Sequence, residues 1–78
     1  MDLKDNNISN INVLEKVNFK LLNTLYLAGN IIADINVLEK VNFKKLSRLE
    51  LNENRINKDE NNSLFVCLQT KINIIIWN

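Results

Sequence analysis

Apolar residues along this chain follow two rhythms that alternate and recur every 24 residues. At Leu25-Tyr26-Leu27 the period is two, which places both leucines on one face of a short strand. From Ile35 the spacing lengthens. Ile35, Leu38 and Val41, with Val37 beside them, mark one stripe of a two-turn helix, while Asn36, Glu39, Lys40 and Asn42 face away. Asp34 stands just before that stripe and Asn10 holds the same place one copy earlier, so each can cap the first free amides. Phe43 and Leu46 then bring the chain inward to the next strand. Each unit reads strand, turn, short helix, return. Strands at equivalent positions would pair in parallel about 4.8 Å apart. No unit can bury its apolar face alone, so neighbours bury it for one another.

The period is written most plainly in one decapeptide. INVLEKVNFK runs from Ile11 to Lys20 and returns unchanged from Ile35 to Lys44. On the same offset, Leu3, Leu27 and Leu51 coincide, as do Asn6, Asn30 and Asn54, and Ile8, Ile32 and Ile56, with Met1, Leu25 and Leu49 in a further column. The Asn column falls where each strand ends and backbone groups turn away unpaired; a buried Asn amide carries donors and an acceptor for them. Gly29, the only glycine, eases the turn before Asn30. Because Asp5 and Glu53 hold that place in the other copies, a left-handed backbone is not expected in every copy.

With Leu22 and Leu46 added, the rows read Leu-x-x-Leu-x-Leu-x-x-Asn-x-Ile. This pattern resembles the leucine-rich repeat family over residues 1–57, as about two and a half copies. The segment Asn30-Ile31-Ile32-Ala33-Asp34-Ile35 is similar to the family's short intracellular repeats, such as regulatory subunits of type-one protein phosphatase, although a 24-residue period is longer than theirs. The resemblance implies an α/β solenoid with parallel strands on a concave face and short helices on a convex one. It also implies that Asn6, Asn30 and Asn54 form a ladder along the stack.

After Ile56 the frame loosens, and residues 58–78 read as an atypical C-terminal cap of a single domain. Asn57 or Asp59 can cap a helix running to about Gln69, with Leu64, Phe65, Cys67 and Leu68 as its apolar side. Lys71 to Trp77 suits a last strand. Its step from Leu49 and Leu51 reads as 23 residues onto Ile72 and Ile74, or 25 onto Ile74 and Ile76. At the other end no cap is visible, and an apolar face including Leu3, Ile8, Leu14 and Phe19 is expected to be open. Either further repeats precede it, or a second copy covers it in a two-fold contact, giving a homodimer.

In leucine-rich repeats, partners usually dock on the strand residues between the core leucines. Carried onto this chain, those are Asp2 and Lys4, then Thr24, Tyr26 and Ala28, then Arg48, Glu50 and Asn52. If Ile72, Ile74 and Ile76 point inward, Asn73, Ile75 and Trp77 extend the surface. Tyr26, Arg48 and Trp77 belong to the residue types enriched in binding hot spots. Trp77 reads equally as an anchor or as the lid of the cap. Glu15-Lys16 and Glu39-Lys40, identical between copies, read as solvated convex surface.

Composition narrows the chemistry. Ten basic and nine acidic residues are interspersed, which gives no basic footprint for nucleic acid. The apolar run Ile74–Trp77 is too short for a membrane span, and the first residues lack a signal peptide's pattern. There is no histidine, and the one cysteine, Cys67, lies in an apolar setting that reads as core. A lone thiol suits a reducing, cytoplasmic interior. Asn7-Ile8-Ser9 and Asn61-Asn62-Ser63 match the glycosylation acceptor, a chance match in so Asn-rich a chain. No nucleophile–base pair, phosphate loop or metal spacing is present, so no enzyme, cofactor or metal is expected. The expectation is a protein-binding module acting through its concave sheet, the alternative a self-assembling structural piece joined through its first coil.

Overall fold

A computed structural model describes residues 1–16, 22–41 and 45–77. Phe19 and Phe43, with Asn18 and Asn42, lie outside the described residues. The architecture is a small α/β one. Three short parallel strands, β1 (Thr24–Tyr26), β2 (Arg48–Glu50) and β3 (Ile74–Ile76), form one sheet in the order β1-β2-β3. An isolated parallel bridge between Asp2 and Tyr26 carries the pairing one chain segment further, beyond β1. Short helices cross between the strands, as parallel pairing requires.

Register follows the repeat. Thr24, Leu25 and Tyr26 pair with Arg48, Leu49 and Glu50, a step of 24 residues. Leu25, Leu27, Leu49 and Leu51 are fully buried, and β1 and β2 share one pattern: half-buried, buried, half-buried. Under this face lies one core that also takes in Ile11, Leu14, Ile32, Ile35, Leu38, Leu46, Phe65, Leu68 and Ile72.

The crossing segments are shorter and tighter than the apolar spacing predicts. The two decapeptides form 3₁₀ turns at Asn12–Lys16 and Asn36–Glu39, not two-turn helices. Their bonds span three residues: Leu14 N–H donates to the Ile11 carbonyl at 3.0 Å, and Leu38 N–H to that of Ile35 at 3.0 Å. A single short turn with Asn and β-branched Val at its start gains little from α geometry, and tertiary packing decides its form. The expected caps are present. Asp34 Oδ1 accepts from Asn36 N–H at 3.0 Å and Asn10 Oδ1 from Asn12 N–H at 2.8 Å.

The turn after each strand corrects the expectation drawn from Gly29. Asp5 (φ 57°), Gly29 (φ 72°) and Glu53 (φ 58°) occupy one column, and all three are left-handed. The geometry is demanded in every copy, and two copies adopt it without glycine at a cost of about 1 kcal/mol or more each. At Gly29 a second constraint applies, because a Cβ there would come within 2.1 Å of Asp5 Oδ1. The neighbouring copy's carboxylate fills the space a side chain would need.

The last crossing is different. α1 (Asn62–Gln69) is a true α-helix, burying Phe65 and Leu68. Its N-cap is Asn61, whose side chain makes no capping bond, rather than Asn57 or Asp59; Asn57 instead ties the turn before it, its Oδ1 accepting from Glu60 N–H at 3.1 Å and its carbonyl from Asn61 Nδ2 at 2.7 Å. β3 then pairs Arg48 with Ile74, Leu49 with Ile75 and Glu50 with Ile76, a step of 26 residues. Neither 23 nor 25 holds. Ile72, Ile75 and Trp77 therefore take the places of Leu46, Leu49 and Leu51. Among the described residues, no helix is long and apolar enough to cross a membrane.

Candidate functional site

Strand alternation places the side chains flanking the buried leucines on the outer face of the sheet. Two rows cross it. Thr24, Arg48 and Ile74 make one; Asp2, Tyr26, Glu50 and Ile76 make the other. Thr24, Tyr26, Arg48 and Glu50 are each half-buried, whereas Ile74 is 46% exposed. Arg48 Nε donates to Glu50 Oε2 at 2.8 Å along β2. Only one of the guanidinium's donors is used in that bond, so the remaining fork can meet a carboxylate or carbonyl. Lys4 Nζ lies 5.4 Å from the Tyr26 ring centroid and 4.0 Å from Asp2 Oδ2. At such exposure these contacts orient side chains more than they stabilise the fold.

Four positions expected on this face are covered in part or in full. Ala28 is buried and offers a partner almost no surface. Asn52 is half-buried, and its side-chain oxygen is enclosed with no hydrogen-bond partner among the described residues. Ile75 and Trp77 are corrected: both lie on the core side, packed against the buried cluster. The Phe65 and Trp77 rings are in contact at a tilt of 41°, and Lys58 Nζ stands 5.4 Å from the Trp77 centroid. Trp77 thus packs over Phe65 on the core side and does not face outward. Ile74 and Ile76 occupy the outer positions instead. Their signal was the spacing Ile72-x-x-Ile75-x-Trp77, which repeats Leu46-x-x-Leu49-x-Leu51 with larger or branched side chains.

Two members of the Asn column, Asn30 and Asn54, bond across copies. Asn30, 5% exposed, accepts at Oδ1 from the N–H groups of Asn6 and Ile8, both at 3.1 Å. Its Nδ2 donates to the carbonyls of Leu3 at 3.0 Å and Leu27 at 2.9 Å. Asn54 repeats this one copy later, accepting from Ile32 N–H at 2.9 Å and donating to Leu27 and Leu51, each at 2.9 Å. Asn6 donates to Leu3 and Lys4 of its own segment. These contacts fix the strand ends from which the outer side chains project.

Of the apolar face expected on the first segment, Leu14 is the residue that the structure moves into the core. Leu14 is 5% exposed and belongs to the core, while Leu3 and Ile8 are half-buried. Phe19 lies outside the described residues. Met1 and Val13 are open, 48% and 64% exposed, whereas Val37, which matches Val13 in the identical decapeptide, is 5% exposed. The Asn36–Glu39 turn packs against both the Asn12–Lys16 turn and α1, so it has neighbours on two sides. On the helical side a groove of about 240 Å³ is lined by Asn36, Glu39, Glu60, Asn61, Ser63, Leu64 and Cys67. Cys67 is half-buried there rather than enclosed in the core. Among the described residues, no three His, Cys, Asp or Glu side chains are grouped to hold a metal ion.

Comparison of the chain with protein-family models, with curated proteins and with solved structures found no match.

Proposed function

We propose that this chain is a leucine-rich-repeat solenoid whose outer sheet face binds a protein partner. One observation carries the reading. The buried columns and the decapeptide are held constant between copies, while the outer pairs change from Thr24 and Tyr26 to Arg48 and Glu50. Constant positions build a frame; varied, half-exposed positions on a rigid sheet give it an address. Two ladder asparagines fix the ends of the strands that carry these side chains, so a partner would meet a preorganised surface with little ordering cost. Recognition would rest on the Tyr26 ring and the part of the Arg48 fork that Glu50 does not engage. The proposed module works by contact alone, in a reducing compartment that leaves Cys67 a free thiol.

Photo-crosslinking residues placed at Thr24 or Glu50 test this against the same residue placed at Lys16 on the helical side. The expected result is a discrete adduct from the two outer positions only, abolished by Tyr26→Ala with the circular dichroism spectrum unchanged. Adducts of equal yield from Lys16, or adducts indifferent to Tyr26→Ala and Arg48→Ala, would sink the reading.

A further inference from the structure

The two edges of the sheet are not alike. At the β1 side the pairing runs on to Asp2, where charged Asp2 and Lys4 flank the bridge. Charged side chains on an edge discourage another chain from adding to it. At the β3 side the residues from Ile72 to Trp77 carry no charge, no proline and no glycine. Among the described residues, no strand pairs with the far side of β3.

The ladder shows which backbone groups that edge offers. Ile74 N–H donates to the Ser47 carbonyl, and Leu51 N–H donates to the Ile76 carbonyl. Ile74 and Ile76 thus turn their backbone groups toward β2. By the alternation of a strand, the N–H and C=O of Ile75 point the other way, away from the sheet. A donor and an acceptor on one residue match a hydrogen-bonded pair in an antiparallel ladder, where two facing residues exchange both bonds. The edge is therefore complementary to itself about Ile75.

We propose that β3 pairs antiparallel with β3 of a second copy of this chain, the two-fold axis passing between the two Ile75 residues. Each Ile75 then donates to and accepts from its counterpart. Ile74 of one copy comes opposite Ile76 of the other, and both pairs lie on the outer face. That gathers four isoleucines into one apolar patch and covers Ile74, which in the single chain is 46% exposed. Cross-strand pairs of β-branched side chains reinforce such a ladder. A second copy fits better than an unrelated strand because one uncharged edge supplies both halves of the match, and an isologous contact closes at two. The inference is independent of the partner proposed for Tyr26 and Arg48, since the edge and its alternation stand without it.

Sedimentation equilibrium of the full chain tests this, together with two variants. The expected wild-type mass rises with concentration to twice the 9.1 kDa monomer and no further. N-methylation of Ile75, introduced by chemical synthesis, removes only the outward donor and both central bonds of the dimer; the dimer should weaken about tenfold or more. Ile74→Lys places like charges beside the axis and should leave a monomer with an unchanged circular dichroism spectrum. A wild type that stays monomeric up to millimolar concentration overturns the proposal. So does a mass growing beyond the dimer, or a dimer indifferent to both changes.

Discussion

The crossing from β1 to β2 and the crossing from β2 to β3 solve one problem with different means. The first takes 24 residues per step and turns on a 3₁₀ segment; the second takes 26 and turns on the eight-residue helix α1. Each register is held by burial, since a slip of one residue would carry every buried side chain of the arriving strand to the outer face. Two added residues let a helix replace a turn without disturbing the inward column Leu25, Leu49, Ile75. The comparison also explains why the C-terminal crossing can differ so much in sequence. Its helix needs only to cover the core, with Phe65 and Leu68 inward, whereas the inner crossing is packed on both sides.

The comparison breaks first at its shared column. Leu49→Ala lies in the central strand, fully buried between both crossings, and should destabilise the fold by about 2–5 kcal/mol, read from urea unfolding. Equal midpoints for mutant and wild type would mean that the core is not the one described. Next comes the inner crossing's ladder. Asn30→Ala strands the N–H groups of Asn6 and Ile8 and the Leu3 carbonyl, a loss of about 2–3 kcal/mol, while Asn6→Ala should cost well under about 1 kcal/mol. Similar losses from the two substitutions would contradict the buried role of Asn30. Trp77→Ala, which uncovers Phe65, should cost about 1.5–3 kcal/mol, and hydrogen exchange should quicken in β3 before β1. Uniform quickening would show that the two crossings are one cooperative unit. The smallest effect has the opposite sign. Glu53→Gly relieves a left-handed residue and should stabilise by about 0.5–1 kcal/mol, whereas Gly29→Ala should destabilise. Matching signs in thermal melts would refute the column.

Much of the inner crossing was legible in the sequence, because Leu25-x-Leu27 and Leu49-x-Leu51 alternate cleanly and the decapeptide fixes the step. The C-terminal strand was not. Ile74, Ile75 and Ile76 are all apolar, so period-two patterning cannot say which faces the core. Only the wider frame of Ile72, Ile75 and Trp77 decides it, and Trp in a leucine column hides that frame. The left-handed column was illegible for a different reason: Asp5 and Glu53 have no glycine's signature, and the turn is imposed by the strand and ladder around them. Val13 and Val37 show the limit of local reading, since identical neighbours in sequence give 64% and 5% exposure. On the candidate face, Tyr26, Arg48 and Glu50 followed directly from alternation, whereas Ile74 and Ile76 waited on the register of β3.

The ladder also has a direction in time. Asn30 completes the backbone of a segment made 22 to 24 residues earlier, and Asn54 does the same for Ile32. During synthesis each segment therefore leaves its polar groups to water until its successor arrives. Each copy completes the one before it, and the chain closes behind itself as it grows.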